Sequence, residues 1–595
     1  MLILFFQFIF VIFILLGAGV IINKLLFSRD FKLNPEGTPG HVLISRFTDL
    51  LVLGIIFVSF IVSVLSIYYP INGYFFIGFS SVFLIIGGLN LILNLKYFLH
   101  IFKHFISLPV AMLFGSLMFF GCGFCNFYDS GAYHMQTIKW IKEYGIVPGL
   151  ANLYGNLGFN SSWHLFLAFF DHGILDEMSF RLGGVLVVFL YLVIALEGYL
   201  HIRLNGVNKT QLIKIFGLLI VPYLFKSHIV SQSTDFCVSF MIFLSSVRLL
   251  ELFDSQATIH YRYTLIVILS VFYAVNVKLS SIPLYLFIPF ILIIMRFSKI
   301  LLAKYIVIFF LMNIPIYTRF YITTGYILYP QSYIDIFNPD WKVPRQDCED
   351  MYKGIRHFAF EPSFRNVKVE ENIFARYQIW HQEWFTPNGP EWNKNPDKNV
   401  LYFTILVFVY GIVILLRFSK YRKEELICYM LLYVGALFVF IMAPEIRFLS
   451  SWILSLAAVA IADVMLIALR SGCLGQKKLF IALFLLFIHG FVYLHKNAGL
   501  VSVIKNRTII TKLTSIEKSP MPRYVEKKVN GNTFYQVVAE KYDARAYYGP
   551  LPITIKIHPS IKYRGFSIKD GFKIISEDST SNGRTSHGVQ TLSDK

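Results

Sequence analysis

The chain has 595 residues, 56% of them hydrophobic and 15% charged. A soluble fold cannot bury that much apolar surface, which leaves a polytopic membrane protein. The formal net charge of +19 does not argue for nucleic acid as a partner, because the basic residues gather on one side of the expected topology.

About 14 apolar runs are long enough to cross a hydrocarbon core of about 30 Å. They span 3–22, 48–68, 73–94, 107–125, 183–200, 212–229, 235–252, 264–281, 283–298, 305–322, 400–417, 427–443, 448–468 and 478–496. These runs are too continuous for barrel strands, so an all-α bundle is expected. The first has no small-residue cleavage pattern and no basic stretch before it, and it reads as a retained span. Lys24, Arg29, Lys32 and Arg46 follow it, Lys96 and Lys103 follow the third, and Arg203 and Lys209 follow the fifth. Arg296, Lys299 and Lys304 follow the ninth, Arg417, Lys420, Arg422 and Lys423 the eleventh, and Arg470, Lys477 and Lys478 the thirteenth. The short loops 69–72 and 230–234 have no Lys or Arg. By the positive-inside rule the basic side is cytoplasmic and both termini are outside.

Three segments then lie on the outer face: 126–182, 323–399 and the tail 497–595. In the first, Ala132, Met135, Ile138 and Ile141 recur at helical spacing, with Lys139 and Lys142 elsewhere on the surface. That pattern predicts an amphipathic helix lying in the interface and ended by Pro148 and Gly149. Ser161 to Phe170 is apolar but too short to span, which suits a re-entrant or surface helix. The second segment is rich in Pro, Trp and Asn and reads as an irregular, ordered loop. The tail has short β-like runs at Thr533–Ala539 and Ile553–Ile557, as in a small C-terminal α+β extramembrane domain. Its end, from about Glu577, has a disordered composition. The expected division is a transmembrane domain over 1–496 and a C-terminal domain over 497–595. Cys122 and Cys125 form a CxxC inside a span and read as packing residues, while Cys348 is alone in its loop.

Five ionisable residues fall at outer helix ends. Asp129 lies in Phe127-Tyr128-Asp129-Ser130-Gly131-Ala132-Tyr133-His134, where an apolar run gives way to a polar loop. A carboxylate there can take a proton from an incoming hydroxyl or hold a cation. Asp235 opens the seventh span and Lys278 closes the eighth. Glu445 and Arg447 lie between the twelfth and thirteenth. Such groups usually face one another or a watery cavity, and five on one side suggest a shared outward-facing cavity. Each also has a plainer reading. Any of them can mark the lipid boundary, and Asp235 can cap its helix. His134 and His164 can bind phosphate or a metal, or be ordinary interfacial residues.

From Tyr128-Asp129-Ser130 with Tyr133-His134, the chain resembles the GT-C superfamily of multispanning glycosyltransferases, in particular an uncharacterised bacterial branch. Those enzymes have a large first outer loop with an acidic residue soon after a span, followed by an interfacial helix. Gly145–Pro148, Asn160–His164, Ser231–Asp235, Val277–Ser280, Tyr326–Pro330, Asp340–Pro344 and Pro444–Phe448 look like further blocks. The resemblance covers most of 120–450 and leaves out the tail. Many members carry paired acids in the first loop, whereas Asp129 has Ser130 beside it, which counts against a metal bridged by two carboxylates. The superfamily also has somewhat fewer spans than 14.

The resemblance implies transfer of a sugar from a polyprenyl-phosphate carrier to a glycan, lipid or protein acceptor, on the outer face of a bacterial inner membrane. In that reading Asp129 is the base. Lys278, Arg447 and His134 bind the donor phosphate, and Tyr133, Asp235, His164 and Glu445 line the substrate site. A single displacement inverts the anomeric centre. No cofactor is required by these residues, and a divalent cation is left open. The alternatives are a transporter or flippase of a lipid-linked solute, to which Glu197 and Glu251 near inner helix ends would belong, and a polysaccharide polymerase or ligase using Arg345, Arg356, Arg365 and Arg376.

Overall fold

A computed structural model of the protein describes residues 2–26, 39–105, 114–115, 117–118, 121, 125, 127–172, 179–254, 257–295, 299–361, 373–385, 398–473, 475–497, 520–539 and 543–575. The fold is mostly helical. Among the described residues, ten helices are long and apolar enough to cross a membrane. They are α1 (Leu2–Leu26), α2 (Gly40–Leu65), α3 (Gly73–Leu93), α7 (Ser179–Asn205), α9 (Thr234–Asp254), α12 (Lys299–Thr324), α15 (Lys398–Leu416), α16 (Lys423–Met442), α17 (Ile446–Arg470) and α18 (Gln476–Asn497). Further helices lie between them: α4 (Leu95–Phe105), α5 (Met135–Tyr144), α6 (Ser162–Phe170), α8 (Lys209–Leu224), α10 (Ala257–Val277), α11 (Phe287–Met295), α13 (Arg345–Phe360) and α14 (Ile373–Phe385). The protein is therefore a polytopic membrane protein.

Among the described residues the expected count of 14 is not reached. The run 107–125 lies largely outside the described residues. The run 212–229 is helical only as α8, whose 16 residues end at Leu224. The run 264–281 leaves helix at Val277. The run 283–298 is divided between a 3-10 stretch, Leu279–Leu286, which contains Pro283, and the nine residues of α11. Proline removes a backbone donor and crowds the preceding turn, so an unbroken apolar run is not an unbroken helix.

Close helix approach holds the core together. A Cβ on Gly19 of α1 would fall 2.0 Å from the Leu50 carbonyl oxygen of α2, and one on Gly54 of α2 would fall 2.1 Å from that of Leu15. A glycine set against the backbone of the neighbouring helix lets the two helices approach closely, which is how helices associate where lipid is as apolar as leucine.

The described part of the C-terminal region is a small sheet structure, the β portion of the expected α+β domain. β1 (Tyr524–Val529) and β2 (Asn532–Val537) form an antiparallel hairpin, and β2 pairs in parallel with β3 (Ile553–Thr554). The Asn530-Gly531 turn has positive φ at both residues, 48° and 79°, as a tight hairpin requires. β4 (Ile561–Tyr563) pairs antiparallel with β5 (Phe572–Ile574). The end from Glu577 lies outside the described residues.

This region docks on the first large loop. Phe534, Ile561 and Phe572 share one apolar cluster with Trp140, Val147, Leu150, Leu153 and Leu157. The Phe572 N–H donates to the Pro148 carbonyl at 2.9 Å, and the Thr554 hydroxyl donates to that of Leu153 at 2.9 Å. Arg564 pairs with Asp340 of the second loop at 2.9 Å. The polar face of α5 is covered as well. Gln136 donates to the Tyr547 carbonyl at 2.9 Å, Lys139 to that of Gly549 at 2.9 Å, and Lys142 to the Tyr548 hydroxyl at 2.9 Å. The face expected to lie open thus meets protein. The helix ends at Tyr144, before the expected Pro148, with Gly145 at φ 73°.

Candidate functional site

The residues singled out at helix ends meet at one end of the bundle. Asp129 immediately precedes a π-turn, Ser130–His134, that leads into α5. A π-turn adds a residue to a helical turn and re-aims the side chains around it, and such turns recur at functional sites. Pro444 follows α16, and Glu445 stands at the N-terminus of α17 without capping it through its side chain. That carboxylate instead bonds Arg447 through two guanidinium nitrogens, Nε and Nη2. The third nitrogen, Nη1, donates to Asp129 Oδ2 at 2.5 Å. Arg447 thus bridges two carboxylates, and its guanidinium lies 5.4 Å from the Phe127 ring centre.

A second pair adjoins this one. Asp235, in the first turn of α9, pairs with Lys278, the residue after α10. The Lys278 ammonium sits 3.8 Å from the ring centre of Phe448, the neighbour of Arg447. Ser451 of α17 donates to the Asp235 carbonyl at 3.2 Å, so α9 and α17 are tied at the same level. The carboxylates of Glu445 and Asp235 are nearly buried, whereas the side chains of Asp129, Arg447 and Lys278 keep 26%, 25% and 23% exposure. The three accessible groups are an acid and two bases.

The cluster holds three acids and two bases, so it carries a negative excess when all are ionised. Burial pushes the Glu445 carboxyl above its usual range, against the pull of Arg447. Protonation of Glu445 therefore costs less than that of an exposed carboxylate and would balance the cluster.

His134 lies behind Asp129, its ring 4.7 Å from that of His164 in α6 and 4.4 Å from that of Tyr133. Burial pushes the His134 imidazole down to about 3, so it is neutral at ordinary pH. Any phosphate contact it makes is a neutral N–H donation. Tyr133 also packs on the apolar cluster shared with the C-terminal region. Among the described residues there is no group of three or more His, Cys, Asp and Glu side chains that could hold a metal.

Sequence reasoning missed several neighbours. The Phe127 ring packs tilted against His228, centres 4.6 Å apart, and faces both His134 and Arg447. Aromatic rings in an apolar stretch carry no signal of their own. The C-terminal region also reaches the site. The Tyr547 N–H donates to the Gly131 carbonyl at 2.7 Å, and Arg545 lies 6.0 Å from the Tyr128 ring centre. Two arginines of the second loop have partners elsewhere. Arg345 pairs with Glu349 at 3.0 Å, Arg376 lies over Phe360, and Arg365 lies outside the described residues.

A separate charged network lies at the opposite end of the bundle. Arg248 of α9 and Lys214 of α8 are completely buried. Arg248 bonds Glu197 of α7 at 2.9 Å, Glu251 at 2.5 Å and Asp49 of α2 at 3.1 Å. Lys214 bonds Glu197 at 2.7 Å and also pairs with Glu251, while Arg262 pairs with Asp49. Three acids balance three bases, as burial requires. Glu197 and Glu251 were legible as inner charges. Their partners, Lys214 of α8 and Arg248 of α9, were not.

The fold and these clusters define a polytopic helical protein with a partly accessible charged site where its large loops meet. The chain belongs to the family described as a domain of unknown function (DUF8201), whose model matches residues 1–454. That match takes in Asp129, His134, Asp235, Lys278, Glu445 and Arg447. No curated protein and no solved structure matches the chain.

Proposed function

We propose that the protein is a membrane glycosyltransferase of GT-C type. It moves a sugar from a polyprenyl-phosphate carrier to a glycan, lipid or protein acceptor, at the outer face of the bacterial cytoplasmic membrane. The observation that carries this reading is the meeting of an accessible carboxylate, Asp129, with two accessible cations, Arg447 and Lys278, from distant parts of the chain. The acceptor hydroxyl gives its proton to Asp129 as its oxygen bonds to the anomeric carbon. The bond from that carbon to the carrier's phosphate oxygen breaks, and the phosphate leaves with the electron pair. Protonation of Asp129 weakens its bond to Arg447, so the guanidinium is released as negative charge grows on the phosphate. Lys278 and Arg447 then stabilise that charge. The test is turnover by the purified protein with a panel of polyprenyl-phosphate sugars and a membrane-extract acceptor. No transfer from any donor, by protein that binds one, counts against it.

One observation favours a second reading, a transporter or flippase of a lipid-linked solute. The buried network around Arg248 gives the bundle charged groups at both ends. Donor movement across liposomes without chemical change would favour it.

A further inference from the structure

Arg319 of α12 is 2% exposed, yet no acidic side chain pairs with it among the described residues. Its Nη1 donates to the Ser66 hydroxyl at 2.6 Å and its Nη2 to the Gly145 carbonyl at 3.2 Å. These partners satisfy two hydrogen bonds and leave the charge uncompensated. Its Nε–H has no partner among the described residues. Neither does the indole N–H of Trp140, a residue of α5 that is also 2% exposed. Arg319 and Trp140 line the same small cavity, together with Thr137, Ile141, Asn160 and Thr323. The cavity offers about 10 Å³ to the centre of a water-sized particle, which is room for one water or one monatomic ion.

We propose that this cavity binds a monovalent, halide-sized anion, chloride in the cell. A buried guanidinium without a counter-charge is strongly unfavourable, and two buried N–H donors are unsatisfied beside it. Water would satisfy a donor but not the charge, whereas an anion satisfies both. The small space favours a monatomic ion over a phosphate or a carboxylate-bearing molecule. The site lies where α12 meets α5, the helix that continues from the π-turn behind Asp129. A bound anion would brace α5 against α12. The inference does not depend on the proposed transferase activity.

The experiment is thermal unfolding of the full chain in detergent, with chloride exchanged for gluconate at constant ionic strength. Wild type should show a saturable rise in Tm with chloride, and bromide should substitute for it. Anomalous scattering from bromide should place an ion beside Arg319 Nε and Trp140 Nε1. Arg319→Gln should abolish the dependence. Trp140→Phe, which keeps the charge, should raise the half-saturating concentration several-fold, and this holds the test open if the first variant fails to fold. Identical melting in gluconate and chloride, with no bromide at the site, would mean water alone and overturn the proposal. A chloride dependence unchanged in both variants would also overturn it.

Discussion

Arg447 bonds Asp129 at 2.5 Å through one nitrogen while its other two hold Glu445, two residues before it in the chain. The acid proposed as base and the cation proposed to stabilise the leaving group are thus in direct contact before any substrate arrives. Arg447→Gln leaves a nearly buried Glu445 carboxylate without its partner. Its expected cost is about 1–3 kcal/mol of stability, with transfer lowered about 10²–10³-fold. Arg447→Lys keeps the charge but not the two-sided bridge, and should fall between. Thermal melts and initial rates on the same preparations separate the two effects.

His134 gives a pH prediction. Its imidazole ionises near 6.5 when unfolded and near 3 in the folded protein, because burial opposes the charge. Below 6.5 the unfolded state binds the proton more tightly, so stability is full above that value and falls as pH drops toward 3. The slope from this residue is at most about 1.4 kcal/mol per pH unit. His134→Asn should flatten the acid side of a stability profile by that share. An unchanged profile would mean that His134 is not held neutral.

The network at the opposite end is expected to act in stability. Arg248→Gln leaves Glu197, Glu251 and Asp49 short of positive charge in a buried setting. The expected loss is about 3–5 kcal/mol, read from denaturant or thermal unfolding. In the transferase account, the protein that remains folded keeps its rate per molecule. In the transporter account, it loses activity beyond its loss of folded protein.

The docking of the C-terminal region is tested at Gly131. A Cβ there would meet Arg545 Cδ at 2.8 Å and Tyr547 Cε1 at 3.0 Å. Gly131→Val should push the 545–549 segment off the π-turn at a cost of about 1–3 kcal/mol. Hydrogen exchange at Tyr547, whose N–H bonds the Gly131 carbonyl, should quicken, and 520–575 should become more susceptible to protease.

What the sequence made legible follows from local physics. Ten helices could be read because apolar length is a local property, and the helix-end placement of Asp129, Asp235, Lys278, Glu445 and Arg447 was visible for the same reason. The interruption around Pro283 was hidden by the apolar run that follows it, Leu284 to Met295. Lys139 and Lys142 read as exposed because charge on a helix face usually meets water. Here they meet Tyr548 and Gly549, about 400 positions later in the chain, and no local pattern signals such a contact. Asp49 and Arg248 lie within separate apolar runs and become partners only when α2 and α9 pack. Arg319 was hidden similarly, since nothing in its own segment shows that it will be buried beside Trp140.

The central claim is that Asp129 takes the acceptor's proton. Its most direct test is the rate of sugar transfer by wild type and by Asp129→Asn, with donor binding measured on the same samples. The account predicts that the substitution lowers kcat by about 10²–10⁴-fold while the variant stays folded and still binds donor. Equal transfer rates in the two proteins would contradict it.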